Sequence, residues 1–132
     1  MIAVTFKITT IADGSYSSTG TTDATVSGLP RGRGPLLLYA VEWVDTDFDA
    51  GVDAVLSVTD TPTGIDKTLL TLTNADAEAT YYPQVLTQTN AGANTTFYTD
   101  QVVHGTLKLA VTNGGNVKTG KCVVYLREER PR

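Results

Sequence analysis

Residues 105–126 decide the fold class, and they consist of GTLKLAVT (105–112), the turn NGGN (113–116), VK, and TGKCVVYL (119–126). The first segment alternates apolar and polar side chains, and a period of two places Leu107, Leu109 and Val111 on one face of a strand. Gly and Asn tolerate the positive φ angles that tight turns need. The stretch therefore predicts two antiparallel strands joined as a hairpin that closes the chain.

The same alternation recurs along almost the whole sequence. Ile2, Val4, Phe6 and Ile8 share one side at the N-terminus, which predicts a first strand rather than a signal peptide. Turn signals at close, regular spacing separate eight or nine such segments, and only residues 74–79 have helical propensity. We expect an all-β antiparallel two-sheet sandwich or jelly roll. Residues 1–127 are expected to form a single domain, followed by a charged tail at 128–132.

Composition excludes several classes of function. The net charge of −4 argues against nucleic acid as a general partner, because phosphate binders normally carry a basic face. No apolar run approaches the roughly 20 residues that span a bilayer, so no membrane partner is expected. Cys122 is the only cysteine, which rules out an intrachain disulfide and suggests synthesis in a reducing compartment.

An aspartate-rich loop is the strongest local signal for metal binding, and its candidate ligands are Asp45, Asp47 and Asp49, with Asp53 following. Alternate aspartates present hard oxygens, which Ca²⁺ prefers. An EF-hand loop, however, needs Gly at its sixth position and Glu at its twelfth, where this chain has Ala50 and Leu56. We expect no metal and no cofactor, and a polar hairpin turn in the loop, with Ca²⁺ binding as the alternative.

No catalytic constellation is visible. His104 is the only histidine, so no site with two imidazoles is possible, and the serines lie outside any nucleophile-elbow context. Cys122 sits among Val123, Val124 and Leu126, which predicts a packed, inert thiol. The sequence predicts a protein that is not an enzyme.

Two groups of residues are candidates for partner binding. Arg31 and Arg33 stand in a frame of Pro and Gly, as a basic finger on an acidic protein. The second group is aromatic and comprises Tyr81, Tyr82 and Tyr98. Such side chains anchor interfaces or stack on sugars. Pro83 interrupts the hydrogen-bonding pattern of a strand, which indicates an edge position.

About two thirds of the chain resembles small β-sandwich proteins of tailed bacteriophages. The similarity lies in residues 40–44 (AVEWV), the loop 45–53 with the Val-rich strand after it, 81–83 (YYP), 102–109 (VVHGTLKL) and 114–120 (GGNVKTG). The resemblance implies a virion component, either a capsid decoration (cement) protein or a tail or connector accessory. It carries over no binding residue.

A decoration protein would have two partners, the major capsid protein and further copies of itself, and we expect a homo-oligomer, most simply a trimer. It would be made in the host cytoplasm and reside in the virion. The alternative is a carbohydrate-binding or adhesin-like sandwich that recognises glycans through the three tyrosines and Trp43, with Ca²⁺ in the Asp loop. Trp43 otherwise predicts core packing, since it shares a strand with Tyr39 and Val41.

Overall fold

The computed structural model describes residues 2–19, 36–60 and 63–128, so Arg31, Arg33 and the short strand predicted at 22–27 lie outside the described residues. The described residues contain no helix and eleven strands: β1 (Ile2–Thr9), β2 (Tyr16–Thr19), β3 (Leu36–Asp45), β4 (Asp53–Asp60), β5 (Asp66–Leu72), β6 (Ala79–Tyr81), β7 (Gln84–Gln88), β8 (Asn94–Asp100), β9 (Val102–Val103), β10 (Gly105–Thr112) and β11 (Thr119–Glu128).

Two antiparallel sheets form a sandwich, as predicted. Sheet A has the order β1-β11-β3-β6, with β9 also paired to β3, and sheet B has the order β2-β10-β4-β5. The strand count exceeds eight or nine because the short strands β2 and β9 have no recognisable signal in the sequence. In addition, Tyr82 and Pro83 separate β6 from β7 where one strand was expected.

The core lies between the sheets and is built from alternate residues of each strand. Trp43, Phe6, Leu56 and Leu109 are among its largest fully buried side chains. Trp43 stacks on Phe48 with ring centroids 5.4 Å apart and donates its Nε1–H to the carbonyl oxygen of Ala75 at 2.8 Å. The indole is therefore fully satisfied in the interior.

The prediction that residues 105–126 form a closing hairpin is wrong. β10 pairs with β2 and β4 in sheet B, whereas β11 pairs with β1 and β3 in sheet A. Leu109 on β10 and Val124 on β11 both face the core, from opposite sides of the sandwich. Alternation determines which face of a strand is buried, but it does not determine which strand lies beside it.

The hairpin predicted between residues 52 and 73 is confirmed, because β4 pairs with β5. An irregularity in the pairing register between Leu56 and Ser57 changes which way a side chain of the opposing strand β5 faces. Leu69 was expected to face away from the core, yet it is buried in it, and Leu70 packs against the core beside it. A bulge places two successive side chains on one side in this way. Among the described residues there is no helix of the length and apolarity that crossing a membrane requires.

Candidate interaction surface

A two-stranded hairpin separate from both sheets of the sandwich is the main candidate for a functional element. β7 and β8 pair only with each other among the described strands, with Gln84 opposite Asp100 and Leu86 opposite Tyr98. We call residues 84–100 the arm. The arm is inserted between β6 and β9, which both pair with β3, so it leaves the sandwich from one edge of sheet A. Most side chains on both of its faces are exposed.

The tip of the arm is held by its own hydrogen bonds. The backbone N–H of Thr89 donates to the Ala93 carbonyl at 2.8 Å, and the N–H of Gly92 donates to the Thr89 carbonyl at 2.9 Å. Gly92 has a φ of +85°, a conformation that glycine adopts without steric cost. Further along, the hydroxyls of Thr87 and Thr95 hydrogen-bond across the strands. These bonds define a closed hairpin rather than an open loop.

Polar contacts fix the base of the arm to the sandwich. The Asp100 carboxylate accepts a hydrogen bond from Gln84 Nε2 at 2.9 Å and forms an ion pair with Arg127 on β11. The bond from Gln84 and the bond and charge of Arg127 lower the pKa of Asp100 despite some desolvation. The neighbouring Gln101 is buried, and its side-chain Nε2 donates a hydrogen bond to the Leu69 carbonyl at 2.8 Å. The backbone carbonyl of Gln101 accepts a hydrogen bond from the Leu38 N–H at 2.9 Å.

The arm and its base carry a concentration of exposed apolar side chains. Phe97 and Tyr98 on β8 are 72% and 65% exposed. They lie on opposite faces of the arm because successive residues of a strand alternate. Val85 is exposed on the face that Phe97 shares. At the base, Tyr82 is 63% exposed and meets Tyr39 edge to face, with ring centroids 5.8 Å apart. Together with the exposed Val102 of β9, these six side chains form what we call the arm surface.

The structure separates the three predicted partner-binding tyrosines. Tyr82 and Tyr98 belong to the arm surface, whereas Tyr81 is partly buried and packs against the core. Trp43 is completely buried, so the prediction that it takes part in a glycan-binding site is wrong. Phe97, the most exposed large apolar residue described, was not among the predicted site residues. Phe97 stands beside Tyr98 in the aromatic cluster of the sequence, but the pattern does not distinguish an exposed aromatic from one that packs at the rim of the sandwich.

The outward faces of the two sheets differ in character. On sheet B, β4 and β10 turn out mainly polar or small residues: Val55, Ser57, Thr59, Thr106, Lys108, Ala110 and Thr112. Such a Thr-rich face suits exposure to water. On sheet A, Ala40 and Val123 face away from the core and are nevertheless buried, beside the half-buried Tyr125. The outward face of sheet A therefore carries apolar side chains that are covered from water.

The Asp loop is tied to two other loops by hydrogen bonds. Asp45 Oδ1 accepts the N–H of Phe48 at 2.8 Å, which closes a local turn. Asp47 Oδ1 accepts the N–H of Thr119 at 2.6 Å and the Thr119 hydroxyl at 3.1 Å. The N–H of Asp49 donates to the Gly114 carbonyl at 3.0 Å, and Gly114 in turn donates to the Gly14 carbonyl at 2.9 Å.

These contacts give the aspartates a structural role. The hydrogen bond from the Thr119 N–H is the main reason that the pKa of Asp47 is lowered. Asp53 accepts hydrogen bonds from the Asn74 N–H at 2.9 Å and from Asn113 Nδ2 at 3.1 Å. Within the described ranges, no group of three or more His, Cys, Asp or Glu residues is arranged to hold a metal ion.

Cys122 and His104 are the two residues considered for catalysis. Cys122 is buried, and burial raises the pKa of its thiol to about 12. A thiol with that pKa carries almost no thiolate at neutral pH and is a poor nucleophile. His104 is half-buried in the single-residue connection between β9 and β10.

The comparisons with models of known families, with curated proteins and with solved structures each found no match.

Proposed function

We propose that this chain is a non-enzymatic structural protein of a tailed-phage virion. In this proposal it is a capsid decoration protein that binds the major capsid protein, assembles with copies of itself, most simply as a trimer, and stabilises the head. It is made in the host cytoplasm and ends in the virion. The observation that supports the proposal best is the arm, because its exposed Phe97 and Tyr98 serve no purpose in the core of the sandwich.

The physical requirements of such a role agree with the described fold. A decoration protein needs a stiff body and several projecting contacts rather than one deep pocket. The three tied loops and the closed core supply the body. Aromatic residues such as Tyr98 are typical interface anchors. Several weak contacts per subunit, repeated over an oligomer, give tight attachment through multivalency. Arg31 and Arg33 would add basic contacts to capsid carboxylates.

The test is binding of the purified chain to undecorated phage shells. Co-sedimentation should show saturable binding, and bound shells should resist a higher temperature than bare ones. A chain in which Arg31 and Arg33 are both replaced by alanine should bind more weakly with a shallower salt dependence, because surface ion pairs are screened by salt. Absence of any binding to shells would refute the proposal.

A carbohydrate-binding module remains the second candidate because Tyr82 and Tyr98 are exposed. The buried Trp43 and the edge-to-face contact of Tyr82 with Tyr39 leave few free aromatic faces for stacking on a sugar. Retention on glycan columns, without binding to shells, would favour this candidate over the decoration protein.

A further inference from the structure

We infer that the arm pairs with the arm of a second copy of this chain. The inference rests on the proposed function only in that a decoration protein is expected to self-associate, and it is tested separately below. The arm is then the element through which two copies of the chain are joined.

The distribution of charge is the first argument. The chain has a net charge of −4, yet no residue between Glu78 and Asp100 is charged, and this is the longest uncharged stretch of the sequence. It contains the whole of the arm except Asp100, whose carboxylate is occupied by Gln84 and Arg127 at the base. Two copies of an acidic protein repel each other over most of their surface. Two uncharged arms can meet without like charges facing each other across the interface.

The open backbone of the arm is the second argument. β7 and β8 pair only with each other among the described strands, so each has an outer edge of N–H and C=O groups without a partner strand. Natural edge strands are normally protected by charged side chains, by proline or by a covering element. Here Pro83 stands just before β7, and no charged side chain protects either strand up to Asp100. A two-stranded hairpin is marginal alone, whereas three or more strands form a stable sheet.

The exposed area is the third argument. Phe97, Tyr98 and Tyr82 are each more than half exposed, and an aromatic side chain buries on the order of 150–250 Å² when fully covered. Because Phe97 and Tyr98 lie on opposite faces of the arm, a pairing along a strand edge covers part of each face together with the strand backbone, which places it among the smaller, weaker interfaces below roughly 800 Å² per partner. A pairing of like arms about a two-fold axis uses the same surface twice and joins two copies, so it links trimers to one another and does not itself close the trimer of the proposed function.

Charge substitutions at Phe97 test the pairing directly. We expect the full chain to associate in a concentration-dependent way in analytical ultracentrifugation. The variants Phe97→Lys and Phe97→Glu should each raise the dissociation constant by about 30-fold or more, as loss of a central aromatic typically does. Mixing the two variants should restore association, because opposite charges then face each other. Ile65→Lys is the matched control, since Ile65 is 66% exposed but lies in the β4–β5 connection, and it should leave association unchanged.

The outcomes separate this inference from the proposed function. A wild-type chain that stays monomeric, or variants that associate as the wild type does, would overturn the inference. Failure of the mixed variants to associate would overturn the pairing of arm with arm. If the chain is monomeric and binds shells through Phe97, the occupant is the capsid and the inference fails while the proposed function stands. If the arms pair but shells are not bound, the inference stands and the proposed function fails. Thermal melting of each variant, unchanged from the wild type at a concentration where the wild type is monomeric, shows that the fold is intact.

Discussion

Replacing Thr10 with valine should destabilise the protein substantially, although Thr10 lies outside the strands, just after β1. Thr10 is buried, its hydroxyl donates to the Gly115 carbonyl at 2.6 Å, and it accepts the Lys118 N–H at 2.8 Å. Valine keeps the shape and removes both hydrogen bonds. At about 1 kcal/mol net for each bond, the free energy of unfolding should fall by about 2 kcal/mol. For a domain of this size, that corresponds to a Tm lowered by roughly 6–10 °C.

Urea denaturation measures this loss as a lower midpoint at constant m value. Thr9→Val is the matched control, because the neighbouring Thr9 is exposed at the end of β1 and its replacement should change the stability by less than about 0.5 kcal/mol. Thr10→Ser keeps the hydroxyl and removes one buried methyl group, worth about 0.8 kcal/mol. If Thr10→Ser proves more destabilising than Thr10→Val, packing of the methyl group rather than the hydroxyl holds the loops together, and the reasoning is wrong.

Two further predictions concern ionisable groups. Cys122 should not react with a thiol reagent at pH 8 in the folded protein and should be labelled fully in denaturant, because burial raises the pKa of its thiol to about 12; rapid stoichiometric labelling of the native state would contradict this. The pKa of Asp47 is lowered on folding, so its contribution to stability is complete above the ordinary value of 3.8 and is lost as the pH falls through the lower folded value. Asp47→Asn should therefore weaken the dependence of stability on pH in the acid range below 3.8, measured by denaturation at a series of pH values, and an unchanged dependence would refute the role of the Thr119 hydrogen bond.

The local pattern of the sequence was sufficient for the strands and their buried faces. Leu107, Leu109 and Val111 are buried together as their alternation predicted, and so are Phe6 and Ile8. The partner of each strand was not predictable, as the separation of β10 from β11 demonstrates. A strand buries its apolar face equally well when it pairs with the next strand in sequence and when it lies opposite that strand in the other sheet. The alternation of apolar and polar residues is the same in both arrangements.

The candidate site was predictable only in part, because its main feature is a lack of cover. Tyr81 ends β6 and packs against the core, whereas Tyr82 lies in the connection after β6 and is exposed, so the structure does not bring both into one exposed site. Both faces of the arm are exposed because none of the described elements packs over them. The local pattern of apolar and polar residues contains no information about such packing. The sequence did contain one usable signal, the uncharged stretch between Glu78 and Asp100. Exposed edge strands are normally protected by charges, and the absence of charges here is the sequence feature on which the proposed pairing of the arms depends.

The arm also differs from the sandwich in what stabilises it. The core of the sandwich is closed by residues of both sheets, and the arm contributes none of its side chains to it. The arm is instead fixed by its own ladder and by the contacts of Asp100 and the neighbouring Gln101 at its base. A change of Phe97 or Tyr98 on its exposed faces should therefore alter association without altering the free energy of unfolding, since neither side chain is buried on folding. The residues proposed for association therefore differ from those that stabilise the core, and this separation allows the arm to be tested by substitution without unfolding the domain that presents it.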